Sequence, residues 1–193
     1  MKIGLFGGTF DPVHLGHLRA AENAKEALGL QSLLFVPVGT PPHRPDLQTS
    51  AWDRYAMVSL ATSGNPGFVP SDLEIKRDGM SYTVDTLLAA QALFPDDELF
   101  LIVGTDAFGE IATWRDHTRI FELCRVAVVH RPGEMPSSEK ALELPADRVF
   151  WVEAAGLPIS ATDVRRRVGQ GKSVRYLVPD QVADYIEKRA LYR

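Results

Sequence analysis

The sequence of 193 residues has little of several features that define common classes of protein. Its single cysteine, Cys124, excludes an internal disulfide framework and a metal site built from cysteines alone. No apolar run approaches the ~20 residues that a membrane-spanning helix needs, and the first apolar run is too short for a signal peptide. The net charge of -4 argues against binding along nucleic acid or on an anionic membrane. We therefore expect a soluble cytoplasmic protein, and the sequence is compatible with a homo-oligomer.

Short apolar segments alternate with segments of helical periodicity along the whole sequence. This alternation favours an α/β fold in which a doubly wound parallel sheet is covered on both faces. No change in composition marks a domain boundary, so we expect one domain over 1–193. The predicted strands are 2–6, 32–36, 68–70, 98–103, 125–129 and 149–152, and the predicted helices are 15–28, 52–62, 83–93, 113–123, 161–168 and 179–190.

The segment after the first predicted strand has the parts of a phosphate site, although it lacks the G-x-G-x-x-G fingerprint and the P-loop pattern. Gly7 and Gly8 let backbone amides approach a ligand closely, and the helix that follows offers free N–H groups. His14 and His17 are three residues apart, so we expect them on one helix face above the edge of the sheet, where either could donate to phosphate. Two alternatives stay open: helix-start residues with local partners, or a metal pair, which is a weak pattern without a third ligand.

A second candidate segment lies at 159–167. Ser160 and Asp163 match the S-x-x-D capping box, which is a purely structural explanation. Three arginines close to a helix start would oppose the helix dipole unless a polyanion binds there or the side chains face solvent. We expect at least one of Arg166 and Arg167 to be exposed.

The two segments together resemble a known superfamily. The run GGTFDPVHLGH at 7–17 closely resembles the H-x-G-H signature of the nucleotidyltransferases, in the form found in bacterial nicotinate-nucleotide adenylyltransferases. The run ISATDVR at 159–165 resembles the superfamily's I-S-S-T-x-I-R motif, with Ala161 where a serine is common and Val164 in place of isoleucine. The resemblance implies a Rossmann-like fold of the nucleotidyltransferase type, in which the helices at about 160–193 complete the ATP site.

The resemblance also implies roles for particular residues in binding ATP. His14, His17 and Arg165 would be catalytic, because they would stabilise charge on the transferred and leaving phosphates. Phosphates in the pocket would raise the pKa of an adjacent histidine. Mg²⁺ would be bound mainly through the ATP phosphates, with no metal site made by the protein itself. The residues implied to bind ATP are Gly8, Thr9, Phe10, His14, His17, Gly104, Asp106, Ser160, Thr162 and Arg165.

Three further segments resemble the nicotinate-nucleotide branch of the superfamily and imply a site for the second substrate. Arg44, in a proline-rich loop, would bind the phosphate of a mononucleotide. Amides near Thr83, in the run SYTVDTL, would bind the nicotinate carboxylate, and Trp114 would stack on the pyridine ring. Each has a plain alternative: a solvated arginine, an N-cap at Ser81 or Thr83, and a core tryptophan.

The activity that the resemblance implies is transfer of the AMP moiety of ATP to nicotinate mononucleotide. The products would be nicotinate adenine dinucleotide and pyrophosphate, in NAD biosynthesis. Phosphopantetheine adenylyltransferase is the nearest alternative, although it lacks the SYTVDTL segment and the proline-rich loop. A non-catalytic nucleotide-binding module on the same fold is another, and would be marked by loss of a motif histidine or of Arg165. An aminoacyl-tRNA synthetase would need a longer chain.

Overall fold

The computed structural model describes residues 1–41, 47, 49–133, 145–154 and 156–193. Within these residues, strands and helices alternate as the sequence predicts. The strands are β1 (Lys2–Gly8), β2 (Ser32–Pro37), β3 (Phe68–Pro70), β4 (Glu98–Gly104), β5 (Arg125–His130) and β6 (Val149–Glu153). The helices are α1 (Leu15–Leu28), α2 (Ala51–Thr62), α3 (Thr83–Leu93), α4 (Thr105–Gly109), α5 (His117–Leu123), α6 (Ala161–Gly169) and α7 (Asp180–Lys188).

The strands form one parallel sheet in the order β3-β2-β1-β4-β5-β6. Successive residues of a strand point to opposite faces, so Leu5 joins one apolar core while Phe6 packs against the other. Helices α1, α2, α6 and α7 contribute to the core on one face, and α3, α4 and α5 to the core on the other. This arrangement confirms the predicted doubly wound sheet. The strand order reverses beside β1, so the carboxyl ends of β1 and β4 flank the crevice where such folds bind ligands.

The helix predicted at 113–123 is wrong in its first half. Helix α4 instead begins directly after β4, and a 3-10 turn at Ile111–Thr113 follows it. Phe108 and Ile111 anchor this stretch by burial in the core. Asp116 takes a left-handed conformation with φ of 50°, which a continuous right-handed helix does not allow, so α5 begins only at His117.

Helix α6 changes the expectation about its arginines. It ends at Gly169, so Arg166 and Arg167 lie in its last turn, where positive charge is favourable to the helix dipole. Arg166 pairs with Asp163 and has a side chain that is 65% exposed, which confirms the expected surface position. Arg167 donates from Nε to the Ser173 carbonyl at 2.9 Å. Neither arginine needs a bound polyanion to explain its place. No helix in the described part of the chain has the length and apolar character to cross a membrane.

Candidate active site

His14 and His17 lie side by side at the start of α1. His14 is the N-cap, and its Nδ1 accepts a hydrogen bond from the His17 backbone N–H at 3.3 Å. The His17 Nδ1 accepts in return from the His14 backbone N–H at 3.2 Å, and the rings stack with centroids 3.6 Å apart. Because both Nδ1 atoms accept, the neutral rings carry their protons on Nε2. The reciprocal cap therefore leaves two Nε2–H donors next to each other for a ligand.

Gly16 leaves room for the His14 ring at the start of α1. A Cβ at this position would lie 3.0 Å from His14 Nδ1 and 3.7 Å from the carbonyl oxygen of Ile159. The first distance is shorter than ordinary contacts of a Cβ allow, so a side chain here would displace the His14 ring. The glycine in H-x-G-H thus provides the space that the His14 ring occupies.

Burial sets the charge of the histidine pair in the free protein. It lowers the pKa of His14 to about 4. It lowers the pKa of His17 to about 3, with a further contribution from the charge that His14 can carry. The rise in histidine pKa expected from the sequence applies to a pocket that contains phosphate groups, whereas these lowered values apply to the free protein. Before a ligand binds, both rings are neutral near pH 7 and act as hydrogen-bond donors through Nε2.

This burial predicts that the free protein loses stability as the pH falls from 6.5 towards 4. The unfolded chain binds protons on these rings near pH 6.5, whereas the folded rings stay neutral to about 4 and about 3, so the unfolded state binds more protons in this window. The free energy of unfolding in urea at about pH 7 and about pH 5 measures the loss. His17→Gln removes one such ring and keeps an acceptor for the cap, so its pH dependence should be weaker. Equal dependence in both proteins would contradict the assignment.

Two cavities adjoin at the carboxyl edge of the sheet. The first, here called the histidine cavity, holds about 500 Å³ between His14 and His17 on one side and Asp106 on the other. The second, the tryptophan cavity, holds about 550 Å³ between the ends of β1 and β2, the start of α3, and Trp114. Each is large enough for a small ligand. The cavities share four lining residues: Phe6, Val103, Gly104 and Ala107. The two cavities are therefore immediate neighbours at this edge of the sheet.

The structure distributes the residues expected at the ATP site over both cavities and α6. His14, His17, Gly104 and Asp106 line the histidine cavity, whereas Gly8 and Thr9 line the tryptophan cavity. Phe10 is only 2% exposed, and its ring centroid lies 5.1 Å from that of His17, so its side chain belongs to the core behind the histidine pair.

The start of α6 is tied directly to the loop after β1. Arg165 donates from Nη1 to the Asp11 carbonyl at 2.6 Å and from Nη2 to Thr162 Oγ1 at 3.2 Å. Ser160 caps the helix, because its Oγ accepts from the Asp163 N–H at 3.1 Å. The Ser160 half of the predicted capping box is therefore present. It occurs together with the hydrogen bond from Arg165 to Asp11, which joins α6 to the loop after β1.

The start of α3 forms part of the wall of the tryptophan cavity. The alternative of an N-cap at Ser81 or Thr83 is wrong, since the N-cap is Tyr82, which makes no side-chain cap. Ser81 Oγ instead accepts from the backbone N–H groups of Gly39 and Thr40 at 3.1 and 3.3 Å. Thr83 is the first residue of the helix and lines the cavity. An anion in this cavity would thus meet an uncapped helix N-terminus.

Trp114 and Arg44 are the other two residues expected to bind the second substrate. Trp114 is half-buried, lines the tryptophan cavity and packs on the core behind it, so the core alternative and a stacking role are both compatible with its place. Arg44 lies outside the described residues.

The sequence analysis did not single out Arg54, which holds together two loops that line the tryptophan cavity. Its side chain is 1% exposed, and it donates to the carbonyls of Thr9 at 2.8 Å and Val38 at 2.6 Å. It thereby joins the loops that follow β1 and β2. The signal was available in the sequence, because Arg54 shares the apolar helix face of Met57 and Val58 at spacings of three and four.

Glu74 is a second residue that the sequence did not reveal. It is buried and lines the tryptophan cavity, and it accepts a hydrogen bond from Thr86 Oγ1 at 2.7 Å. Burial raises the pKa of this carboxyl, and the hydrogen bond from Thr86 opposes the rise. Glu74 and Thr86 therefore give the cavity polar groups in addition to the aromatic side chain of Trp114.

Comparison with known proteins assigns this site to a class. A family model described as cytidylyltransferase-like matches residues 5–167, which include both motifs and both cavities. The match covers most of the chain. The chain therefore belongs to the cytidylyltransferase-like family of nucleotidyltransferases.

Individual relatives narrow the assignment. The chain is 49% identical to a protein of Thermus thermophilus over 193 residues, the whole of both chains. It is 46% identical to a protein of Desulfitobacterium hafniense over 199 residues, with 100% of this chain and 96% of the relative covered. Both are named "Probable nicotinate-nucleotide adenylyltransferase". Within its family the chain belongs with the nicotinate-nucleotide adenylyltransferases.

Solved structures agree on the fold. Nicotinic acid mononucleotide adenylyltransferase of Plasmodium falciparum, complexed with NaAD, superposes with a TM-score of 0.83. The alignment covers 99% of this chain and 97% of that one at 18% identity. The same enzyme complexed with APC gives a TM-score of 0.81. At this identity the likeness shows that the folds are the same.

Proposed function

We propose that this chain transfers the AMP moiety of ATP to nicotinate mononucleotide and forms nicotinate adenine dinucleotide and pyrophosphate. The adjacency of the two cavities carries the proposal, because it lets two ligands meet beside the histidine pair. The names of the relatives support the same reaction. The bound compounds of the Plasmodium structures, NaAD and APC, also fit it.

The transfer is a direct displacement. An oxygen of the 5′-phosphate of nicotinate mononucleotide forms a bond to the α-phosphorus of ATP. The bond from that phosphorus to the α–β bridging oxygen breaks, and pyrophosphate leaves with the electron pair. The attacking phosphate is already ionised at neutral pH, so the step needs no catalytic base. What the chain supplies is alignment of the two ligands and stabilisation of the charge that moves to pyrophosphate.

Each end of the ATP phosphate chain has donors of its own. The Nε2–H groups of His14 and His17 face the α-phosphate and the departing oxygen. Ser160, Thr162 and Arg165 hold the β- and γ-phosphates from the start of α6, where helix N–H groups add to their charge. The whole chain, 1–193, acts as one nucleotidyltransferase domain in this account, with 160–193 completing the ATP site.

The remaining contacts divide between nucleoside and acceptor. Backbone groups of Gly8, Thr9 and Phe10 lie against the phosphates, Asp106 accepts from a ribose hydroxyl, and Gly104 allows the adenosine to approach closely. The amides at Thr83 bind the nicotinate carboxylate, and Trp114 stacks on the pyridine ring. Arg44 binds the phosphate of the acceptor. In this proposal the adenosine of ATP occupies the histidine cavity, the mononucleotide occupies the tryptophan cavity, and the phosphates lie between them near Gly8 and Thr9.

Mg²⁺ fits this site as a companion of ATP. No three His, Cys, Asp or Glu side chains converge as a metal site in the ranges that the structure describes. Magnesium commonly binds through substrate phosphates and keeps several of its waters. When bound across the phosphates it would neutralise part of their charge, while His14, His17 and Arg165 contribute hydrogen bonds from the protein.

The choice of acceptor tests the proposal. We expect pyrophosphate release from ATP with nicotinate mononucleotide, and a much lower kcat/KM with nicotinamide mononucleotide, because the helix N-terminus at Thr83 favours a carboxylate over a neutral amide. Phosphopantetheine, as a third acceptor, should give no release. Equal efficiency with both mononucleotides would remove the carboxylate assignment. Release with phosphopantetheine alone would assign a different acceptor, and release with none would favour a binding module.

A further inference from the structure

The segment after α7 folds back towards the active site. The Leu191 N–H donates to the Ile186 carbonyl at 3.0 Å, which ends the helix and reverses the chain. Ala190 and Tyr192 both take left-handed conformations, with φ of 53° and 64°. This conformation is unfavourable for L-residues with a side chain, above all a bulky one, and persists where surrounding contacts hold it.

Tyr192 contacts both segments that carry the phosphate-binding residues. Its hydroxyl donates to Asp11 Oδ1 at 2.6 Å, in the loop after β1. Its backbone carbonyl passes close to α6, since a Cβ at Gly169 would lie 3.3 Å from that oxygen. Burial and the Asp11 carboxyl raise the pKa of Tyr192, so the hydroxyl keeps its proton and remains the donor.

Asp11 connects this contact to the proposed catalytic residues. It is only 5% exposed, and its carbonyl accepts the 2.6 Å hydrogen bond from Arg165. A single residue thus receives Tyr192 on its side chain and Arg165 on its main chain. We propose that Tyr192 is a positioning residue for adenylyl transfer: its hydroxyl fixes Asp11, and through the Asp11 main chain it fixes Arg165 and the loop after β1. This inference rests on the proposed function.

A second tyrosine in the same part of the chain provides a matched control. Tyr185, on α7, also donates its hydroxyl to a carboxylate, Asp53 Oδ1 at 2.8 Å. Asp53 lies in the first turn of α2 and lines neither cavity. Tyr185→Phe and Tyr192→Phe therefore remove the same kind of hydrogen bond, one away from the site and one beside it.

Steady-state kinetics with ATP and nicotinate mononucleotide distinguish a positioning role of Tyr192 from a purely structural one. Tyr192→Phe should lower kcat by about tenfold, because small displacements of catalytic groups are costly. Its KM for nicotinate mononucleotide should stay unchanged. Tyr185→Phe should leave both constants near those of the unmodified protein, and thermal unfolding checks that both variants are folded at the assay temperature. A kcat for Tyr192→Phe equal to that of Tyr185→Phe would overturn the inference. An unmodified protein that releases no pyrophosphate would instead overturn the proposed function, and the inference with it.

A double variant tests the route through Asp11. If Tyr192 acts by holding Arg165, the kcat of Tyr192→Phe with Arg165→Gln should be close to that of Arg165→Gln alone, since residues that act as a unit are non-additive. Losses that multiply would show that Tyr192 acts independently of Arg165 and would contradict the proposed connection.

Discussion

Replacing His17 with alanine should lower kcat by about 10²–10³-fold, the range measured when one donor to a developing negative charge is removed. The Nε2–H of His17 is placed beside that of His14 by the reciprocal cap and the 3.6 Å ring stack. Because charge builds up on the departing pyrophosphate in the transition state, loss of this donor affects turnover more than binding. The KM for ATP should change much less. Initial rates of pyrophosphate release over a range of ATP concentrations measure both constants.

His17→Gln separates catalysis from folding. Glutamine at this position can reach back to the N-cap backbone N–H, as in an ordinary capping box, but its amide is a neutral donor that cannot gain a proton beside phosphate groups, as an imidazole can. The alanine variant should lose cap stability of about 1 kcal/mol, whereas the glutamine variant should retain most of it. Both should lose turnover. A glutamine variant with near-normal kcat would show that a neutral donor suffices at this position, and an alanine variant with near-normal kcat would leave His17 only the cap.

Replacing Arg54 with methionine should lower the free energy of unfolding by about 3 kcal/mol or more, the cost of leaving several buried acceptors without donors. Methionine fills similar space, but the carbonyls of Thr9, Val38 and Gly39 lose the guanidinium that now joins them. The loops after β1 and β2 would then be free to separate. Urea denaturation measures the stability, and we expect kcat to fall in the molecules that remain folded.

Two further variants serve as controls for Arg54→Met. Arg19→Met replaces an exposed arginine on α1, so it should change stability by less than about 0.5 kcal/mol. Arg54→Lys keeps the charge but cannot reproduce the forked donors, so it should remain strongly destabilised. Full stability of the lysine variant would mean that charge alone, and not the connection between the loops, accounts for Arg54.

The main features of the fold follow from the sequence because parallel strands buried on both faces leave a simple pattern. Their apolar runs alternate with amphipathic helices, and this sufficed to predict the doubly wound sheet. The exception at 113–123 has a local cause. The left-handed turn at Asp116 and the 3-10 turn at Ile111–Thr113 depend on burial of Phe108 and Ile111, which periodicity does not reveal.

The parts of the site that neighbouring residues form could be predicted from the sequence. The contacts between distant segments could not. His14 and His17 occupy the N-cap and the third helical position of α1, so their contact follows from a reciprocal cap that a spacing of three residues allows. Tyr192 and Asp11 are 181 residues apart, and no spacing indicates their contact. Arg54 looks like an ordinary surface arginine unless its position on an apolar helix face is counted as evidence of burial. Such contacts depend on tertiary packing, which overrides local patterns.

The fate of labelled oxygen distinguishes adenylyl transfer from other reactions of the two substrates. Nicotinate mononucleotide that carries ¹⁸O in its phosphate is incubated with ATP and the protein, and the products are analysed by mass spectrometry. If the acceptor phosphate attacks the α-phosphorus, all of the ¹⁸O appears in nicotinate adenine dinucleotide and the released pyrophosphate contains none. Appearance of ¹⁸O in pyrophosphate, or release of AMP without any dinucleotide, would contradict adenylyl transfer at this site.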